Sequence, residues 1–343
     1  MAEAFFNLGF YFRTWSLLAV LCFCLIGPSV GRSQELVKIP FPYGPIGLNS
    51  LPWVAAKEAR LFEKNGLDVD MVFIGASSVM VQSMLAGSAN IAGLAGPAII
   101  TNVLRGGDII QVAAMVPYFS QSLMVHPEIK ELRALKGKKV GVTRFGSVTD
   151  FALRALLERH DIKGVTILQM GGLAEAMAGL SKGSIDGAVV SPPHTFRLIK
   201  EGFRELVSPK DLQRLGIGFL TQGICARRSF AANNRDIVIR MIKATMEGVK
   251  YLMMNEATAK RLISKYLRIV DPELLNQSYL YVTESFAKEP LVPPSAIQSM
   301  TQRMAQMNLV DARAAQNIPP TAFFDNSFVE ELRQSGFFEN LWK

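Results

Sequence analysis

The chain has 343 residues, with 37 Lys and Arg against 29 Asp and Glu, a net charge of +8 and 49% hydrophobic content. That is long enough for one large or two medium domains with a real core, and too apolar for a disordered chain. The basic residues are scattered, and the densest runs (Lys136 with Lys138 and Lys139, then Arg227 with Arg228) lack the interleaved aromatics of a stacking platform, so no nucleic-acid partner is expected.

Residues 1–33 read as a secretory signal peptide. Arg13 precedes an uncharged run from Trp15 to Ile26, Gly27-Pro28 breaks it, and Ser29-Val30-Gly31 supplies small residues for cleavage. The run is shorter than the roughly 20 apolar residues of a membrane helix, so export to the periplasm without stable membrane insertion is expected. Leu21 and Phe23 stand where a lipid-modified cysteine wants a small neighbour, which argues against lipidation of Cys22 or Cys24. Cys225 is then the one cysteine left and cannot form an internal disulfide. In Gly223-Ile224-Cys225-Ala226 it reads as a packed small hydrophobe. His126, His160 and His194 are widely spaced, so neither a metal nor a cofactor is expected.

Strand-like and helix-like segments then alternate. Val37 to Phe41 predicts a strand, and Asn49-Ser50 with Pro52 starts a helix through Trp53, Ala56 and Leu61-Phe62, stopped by Gly66. Leu67 to Ile74, Ile91 to Ala95 and Ile109 to Val116 predict further strands, separated by helices over Val79 to Ala86 and Ala98 to Arg105. The pattern restarts after residue 122. Lys139 to Thr143, Thr166 to Met170 and Ile185 to Val190 read as strands, with helices over Val148 to His160 and through Leu180. Repeated βαβ units predict parallel sheets with helices on both faces, and two such series predict two α/β lobes. From about Asn233 onward the chain reads as helix after helix and must pack on one of the lobes.

In open parallel sheets ligands bind beyond the carboxyl ends of strands, where loops meet helix N-termini. That rule selects Asn49-Ser50, Ser77-Ser78, Gly96-Pro97, Arg144-Phe145-Gly146-Ser147 with Thr149, Gly171-Gly172 and Ser191-Pro192. These loops offer backbone N–H groups and hydroxyls next to positive helix ends and carry almost no acids, which suits a polar or anionic small molecule. Arg144 follows an apolar strand and reads either as a bidentate clamp for a carboxylate, sulfonate or phosphonate, or as a surface arginine. Trp53 reads either as a stacking face for the ligand or as core. Ser191 with His194 is the nearest approach to a nucleophile and base, but two prolines lie between them and no acid is placed to orient the histidine. The stretch is more simply a turn entering a helix, and no catalytic residue is expected.

Four stretches resemble the NMT1/THI5-like and aliphatic-sulfonate-binding (SsuA-like) group of ABC-transporter substrate-binding proteins. They run from Leu51-Pro52-Trp53 through Arg60-Leu61-Phe62 to Gly66-Leu67-Asp68-Val69, from Met84 to Ala92, from Leu135 to Val142, and from Leu180 to Ala188. The resemblance covers about residues 36–290. It implies a type II periplasmic-binding-protein fold: two doubly wound lobes joined by a two-crossing hinge, with the helical C-terminal tail packed on the first lobe. Lobe I is expected at 34–121 and 222–343, lobe II at 122–221, with crossings near Ser120–Leu123 and Thr221–Gly223. The resemblance further implies a monomer that captures a small-molecule ligand by hinge closure and delivers it to ABC permease and ATPase subunits. Two alternatives stay open. One is an enzyme on the same fold, as in pyrimidine synthesis, whose relatives depend on a cysteine-rich segment that this chain lacks. The other is a ligand sensor or scavenger without its own permease.

Overall fold

Ten strands carry the architecture: β1 (Val37–Tyr43), β2 (Leu67–Phe73), β3 (Ile91–Leu94), β4 (Ile109–Val116), β5 (Ser122–Val125), β6 (Lys139–Val142), β7 (Thr166–Gln169), β8 (Gly187–Val190), β9 (Arg204–Val207) and β10 (Gln222–Arg227). The computed structural model describes residues 35–44, 47–216 and 218–343, and the signal-peptide reading of residues 1–33 lies outside them. The first group of helices is α1 (Leu51–Glu58), α2 (Leu61–Lys64), α3 (Ser77–Leu85) and α4 (Gly96–Leu104). The second is α5 (Val148–Arg159), α6 (Leu173–Ser181), α7 (His194–Lys200) and α8 (Pro209–Gln213). The tail adds α9 (Arg228–Asn233), α10 (Arg235–Met254), α11 (Glu256–Leu267), α12 (Pro272–Ser285), α13 (Pro294–Gln306), α14 (Ala312–Asn317), α15 (Ser327–Gln334) and α16 (Phe337–Trp342).

In the first half, β1 and β2 pair in parallel, β1 lies beside β3, and β10 inserts between β3 and β4. In the second half the strand order is β7-β6-β8-β5-β9. The strands read from the sequence are parallel where they pair with one another, as β6 is with β7 and β8. The expectation of wholly parallel sheets needs correcting at β5 and β10, which are antiparallel to both of their neighbours. Each follows a chain segment that crosses from the other half (117–121 before β5, 218–221 before β10) instead of a helix returning along the same sheet. Without that helical crossover nothing imposes the parallel sense. This is the type II periplasmic-binding-protein fold, with two α/β lobes and two crossings.

Local chemistry explains the helix ends. Ser147 caps α5 by accepting from the Asp150 N–H, and Ser208 with Asp211 forms a capping box ahead of Pro209 in α8. The helix expected to run from residue 51 through Phe62 is broken instead, because Arg60 takes a left-handed conformation (φ 55°) between α1 and α2. One apolar core joins β1, β2, α1 and the tail helices α10 to α12 through Phe41, Trp53, Met241, Leu262 and Val282. A separate core, with Met124, Leu180, Val190 and Leu198, lies within the second half. The tail does more than cover the first lobe. Ile297 and Met300 of α13 share a core with Phe151 of α5 and with Phe119 and Phe219 on the two crossings. The Phe119 and Phe219 rings stack with centroids 3.9 Å apart, tying the crossings side by side.

Cys225 sits on β10 at 0% exposure, among Met80, Leu94 and Ile109. Burial pushes its thiol well above the usual range. In a chain without residues 1–33 it should therefore resist a disulfide reagent such as Ellman's under native conditions and react fully in denaturant; rapid native labelling would contradict this packing.

Candidate functional site

The carboxyl ends of the strands from both halves meet around a small cavity of about 20 Å³, room for about one water-sized group. Its described lining comprises Gly47, Asn49, Gly75, Ala76, Ser77, Gln121, Thr143, Ser147, Val148, Thr149, Leu173, Ser191, Thr221 and Gln222, none of them charged. Three α-helices start on it, at Ser77, Val148 and Leu173. Each such end carries roughly half a positive charge in outward-pointing N–H groups. A polar or anionic group brought here meets hydroxyls, amides and helix ends, whereas a cation would find no countercharge on the described lining.

The hydroxyls are preorganised. Thr143 Oγ1 donates to Ser147 Oγ at 2.9 Å, Thr149 Oγ1 lies 2.9 Å from Thr143 Oγ1 and 3.0 Å from Ser147 Oγ, and Thr149 Oγ1 also accepts from the Thr143 N–H at 2.9 Å. On the opposite wall Asn49 is held at both ends of its amide, donating to Ser120 Oγ at 3.0 Å and accepting from the Tyr281 hydroxyl at 2.8 Å. Burial raises the Tyr281 phenol well above its ordinary range, so it stays a donor to Asn49. The two halves touch through backbone. The Leu48 N–H donates to Pro192 O at 3.4 Å, and a Cβ on Gly75 would stand 3.0 Å from Gly171 O. Glycine at position 75 is thus what permits so close an approach.

Of the residues expected at the site, Asn49, Ser77, Ser147, Thr149 and Ser191 are brought together on the cavity. Ser50 lies just behind it, its hydroxyl donating to Gly47 O at 2.9 Å, and Pro192 supplies the carbonyl that meets Leu48. Gly96 packs under Met300 and Leu220, while Ser78, Pro97, Phe145 and Gly146 line a neighbouring groove. Gly172 caps α6 without lining the cavity.

Arg144 and Trp53 are placed away from it. Arg144 is exposed: the Ser147 N–H closes a turn onto Arg144 O, with Gly146 at φ 73°, so Thr143 and Ser147 line the cavity while Arg144 and Phe145 face outward. Trp53 is 1% exposed and packs edge-on to Phe41 in the core. Ser191 and His194 form a turn in which the His194 N–H donates to Ser191 O at 3.1 Å. Sequence reasoning passed over Gln121, Thr143, Thr221 and Gln222. Gln121 and Thr221 sit on the crossings and Gln222 opens β10, and their signal is polar residues that interrupt apolar runs, as in Ser120-Gln121-Ser122 and Thr221-Gln222. A larger depression of about 710 Å³ between α13 and α14 is remote from the strand ends.

The family model described as NMT1/THI5 like matches residues 48–259. The chain belongs to the NMT1/THI5-like family. A binding protein of Brucella abortus is 30% identical over 219 residues, which is 62% of this chain and 66% of that relative's length. A solved structure from Bordetella bronchiseptica covers 88% of this chain and 98% of its own at 20% identity, with a TM-score of 0.77. The alkanesulfonate-binding protein SsuA of Xanthomonas axonopodis, solved with MOPS, aligns over 85% of this chain and 99% of its own at 17% identity and a TM-score of 0.72. The periplasmic nitrate-binding protein NrtA of Synechocystis aligns over 88% and 89% at 14% identity and 0.70. At such identities these structures show the fold alone.

Proposed function

We propose that this chain is the periplasmic solute-binding component of an ABC importer, catching a small polar or anionic organic molecule between its lobes by hinge closure. The lobes are 34–121 with 222–343, and 122–221. The observation that carries the reading is the uncharged cavity on which three helix N-termini from both halves converge. An ionised solute there exchanges its water shell for fixed N–H and O–H dipoles, the arrangement that suits an anion without a neutralising cation. The names of the related structures, which bind alkanesulfonate and nitrate, agree with that class. Asn49, Ser77, Ser147, Thr149 and Ser191, with Gln121, Thr143, Thr221 and Gln222, are the contact residues in this reading. Permease and ATPase subunits are the partners, and the protein acts as a monomer in the periplasm. Among the described residues no helix is long and apolar enough to cross a membrane.

Mass spectrometry of the molecule that co-purifies, followed by titration calorimetry on the stripped protein, is the direct test. Saturable one-to-one binding is expected. Ser191→Ala, which removes a hydroxyl from the cavity wall, should weaken it about tenfold. A folded, stripped protein that binds no small anion or neutral polar molecule would end this reading.

A further inference from the structure

The depression between α13 and α14, of about 710 Å³, shares no residue with the solute cavity and is roomy enough for a short stretch of chain. Its floor includes Ile297, Thr301 and Phe323, all buried, and the Thr301 hydroxyl is already committed to Ile297 O at 2.8 Å. Five exposed carboxamides share the lining: Gln298, Gln302 and Gln306 from α13, and Gln316 and Asn317 from α14. The described lining holds no charged side chain, although charged residues make up 19% of the sequence, so an ionic guest finds nothing there to pair with.

The spacing of the carboxamides points to a peptide. The three glutamines of α13 stand at i, i+4 and i+8, so they share one face of the helix at steps of about 6 Å. An extended chain presents its peptide groups to one side every second residue, a repeat of about 6.6–6.8 Å. The two repeats differ by less than about 1 Å per step, which a long, rotatable glutamine side chain absorbs. A carboxamide holds an acceptor and two donors in one plane and can therefore meet the C=O and N–H of a single residue. From Gln298 to Gln306 the row spans about 12 Å, the length of about four extended residues. None of the five carboxamides is hydrogen-bonded within the described protein. Pro319 and Pro320, also on the lining, have no N–H to offer, so the carboxamides are the groups a guest would bond.

We infer that this groove docks an extended, uncharged segment of a partner protein, about four residues long, with the carboxamides on its peptide groups and small apolar side chains on the floor. Hydrogen bonds made in so open a groove contribute little each, which suits a segment carried by a larger partner better than a free peptide. The inference stands apart from the reading of the cavity as the solute site.

Because the carboxamides would read backbone groups, a generic probe suffices: the soluble peptide acetyl-Ser-Val-Ser-Val-Ser-amide, titrated into nitrogen-15-labelled protein while the side-chain amide resonances of the glutamines are followed. Saturable shifts at Gln298, Gln302, Gln306 and Gln316 are expected. Gln302→Ala and Gln306→Ala place a good helix former on an exposed face, so the fold persists, and each should weaken binding about fivefold. Gln334→Ala, which changes an exposed helix glutamine outside the groove, should leave binding unchanged. A copy of the peptide N-methylated throughout keeps the side chains but has no backbone N–H, and should give no shifts. No shifts with the parent peptide, shifts insensitive to Gln302→Ala and Gln306→Ala, or shifts with the neutral sugar maltopentaose in place of the peptide would each overturn the inference.

Discussion

Replacing Trp53 with alanine should cost about 3–5 kcal/mol of stability, the range for deleting a large, fully buried aromatic side chain. Its ring meets Phe41 edge-on with centroids 5.1 Å apart, and a Cβ on Gly93 would stand 2.3 Å from the indole, so the outer edge of the ring lies against the backbone of β3. This contact fixes α1 to the sheet and thereby sets the position of Asn49 just before it. Trp53→Phe should cost less, because the indole N–H finds no hydrogen-bond partner among the described residues and nothing polar is lost with it. Urea unfolding measures the stabilities, and calorimetry on Trp53→Phe decides between the two roles open to this residue. A core residue leaves the affinity of the folded protein within about twofold. A tenfold loss of affinity with stability intact would instead place the indole against the solute.

The contrast between Trp53 and its neighbour Asn49 shows where the sequence is legible. Both follow β1 within one loop and helix start; the rule that ligands gather beyond strand carboxyl ends selects Asn49, while Trp53 reads either as a stacking face or as core. Only the three-dimensional direction of each side chain separates them, and that direction is set by what packs above the helix: β3, some forty residues on. The same holds in the Arg144–Ser147 turn. Its strand-loop-helix order is plain from the apolar run and the Ser147 cap, yet the left-handed Gly146 decides that hydroxyls face the cavity and the arginine faces water. The βα units were readable because period and caps are local properties. Strands β5, β9 and β10 were not. β5 and β10 pair antiparallel with strands distant in the chain. That pairing leaves no local mark, and with it went Gln121, Thr221 and Gln222, whose place at the site follows from the crossings.

The second large effect is expected far from the cavity, at Arg197. This residue belongs to α7, whose Leu198 packs in the second lobe's core, yet its Nη2 donates to Leu267 O at 2.6 Å and to Arg268 O at 3.0 Å. Those carbonyls end α11, which shares the first lobe's core, so a cation here satisfies orphan acceptors at a helix C-terminus across the gap between lobes. The chain just before α7 supplies Ser191 to the cavity wall, so the segment is pinned at its far end to the opposite lobe and lines the cavity at its near end. Lys200 adds exposed ion pairs to Asp271 and Glu273 that salt should screen, so they count for less. If solute binds only the closed arrangement, apparent affinity scales with the closed fraction. Hydrogen bonds from a charged group contribute about 1.5–3 kcal/mol, so Arg197→Ala should weaken solute binding roughly 10–100-fold without altering any cavity residue. Arg197→Lys, which keeps the charge but not the guanidinium's planar fork, should fall between. The loss should come with a larger radius of gyration for the free protein in X-ray scattering. Unchanged affinity in Arg197→Ala would mean that closure is held elsewhere, at the Leu48–Pro192 and Gly75–Gly171 backbone contacts.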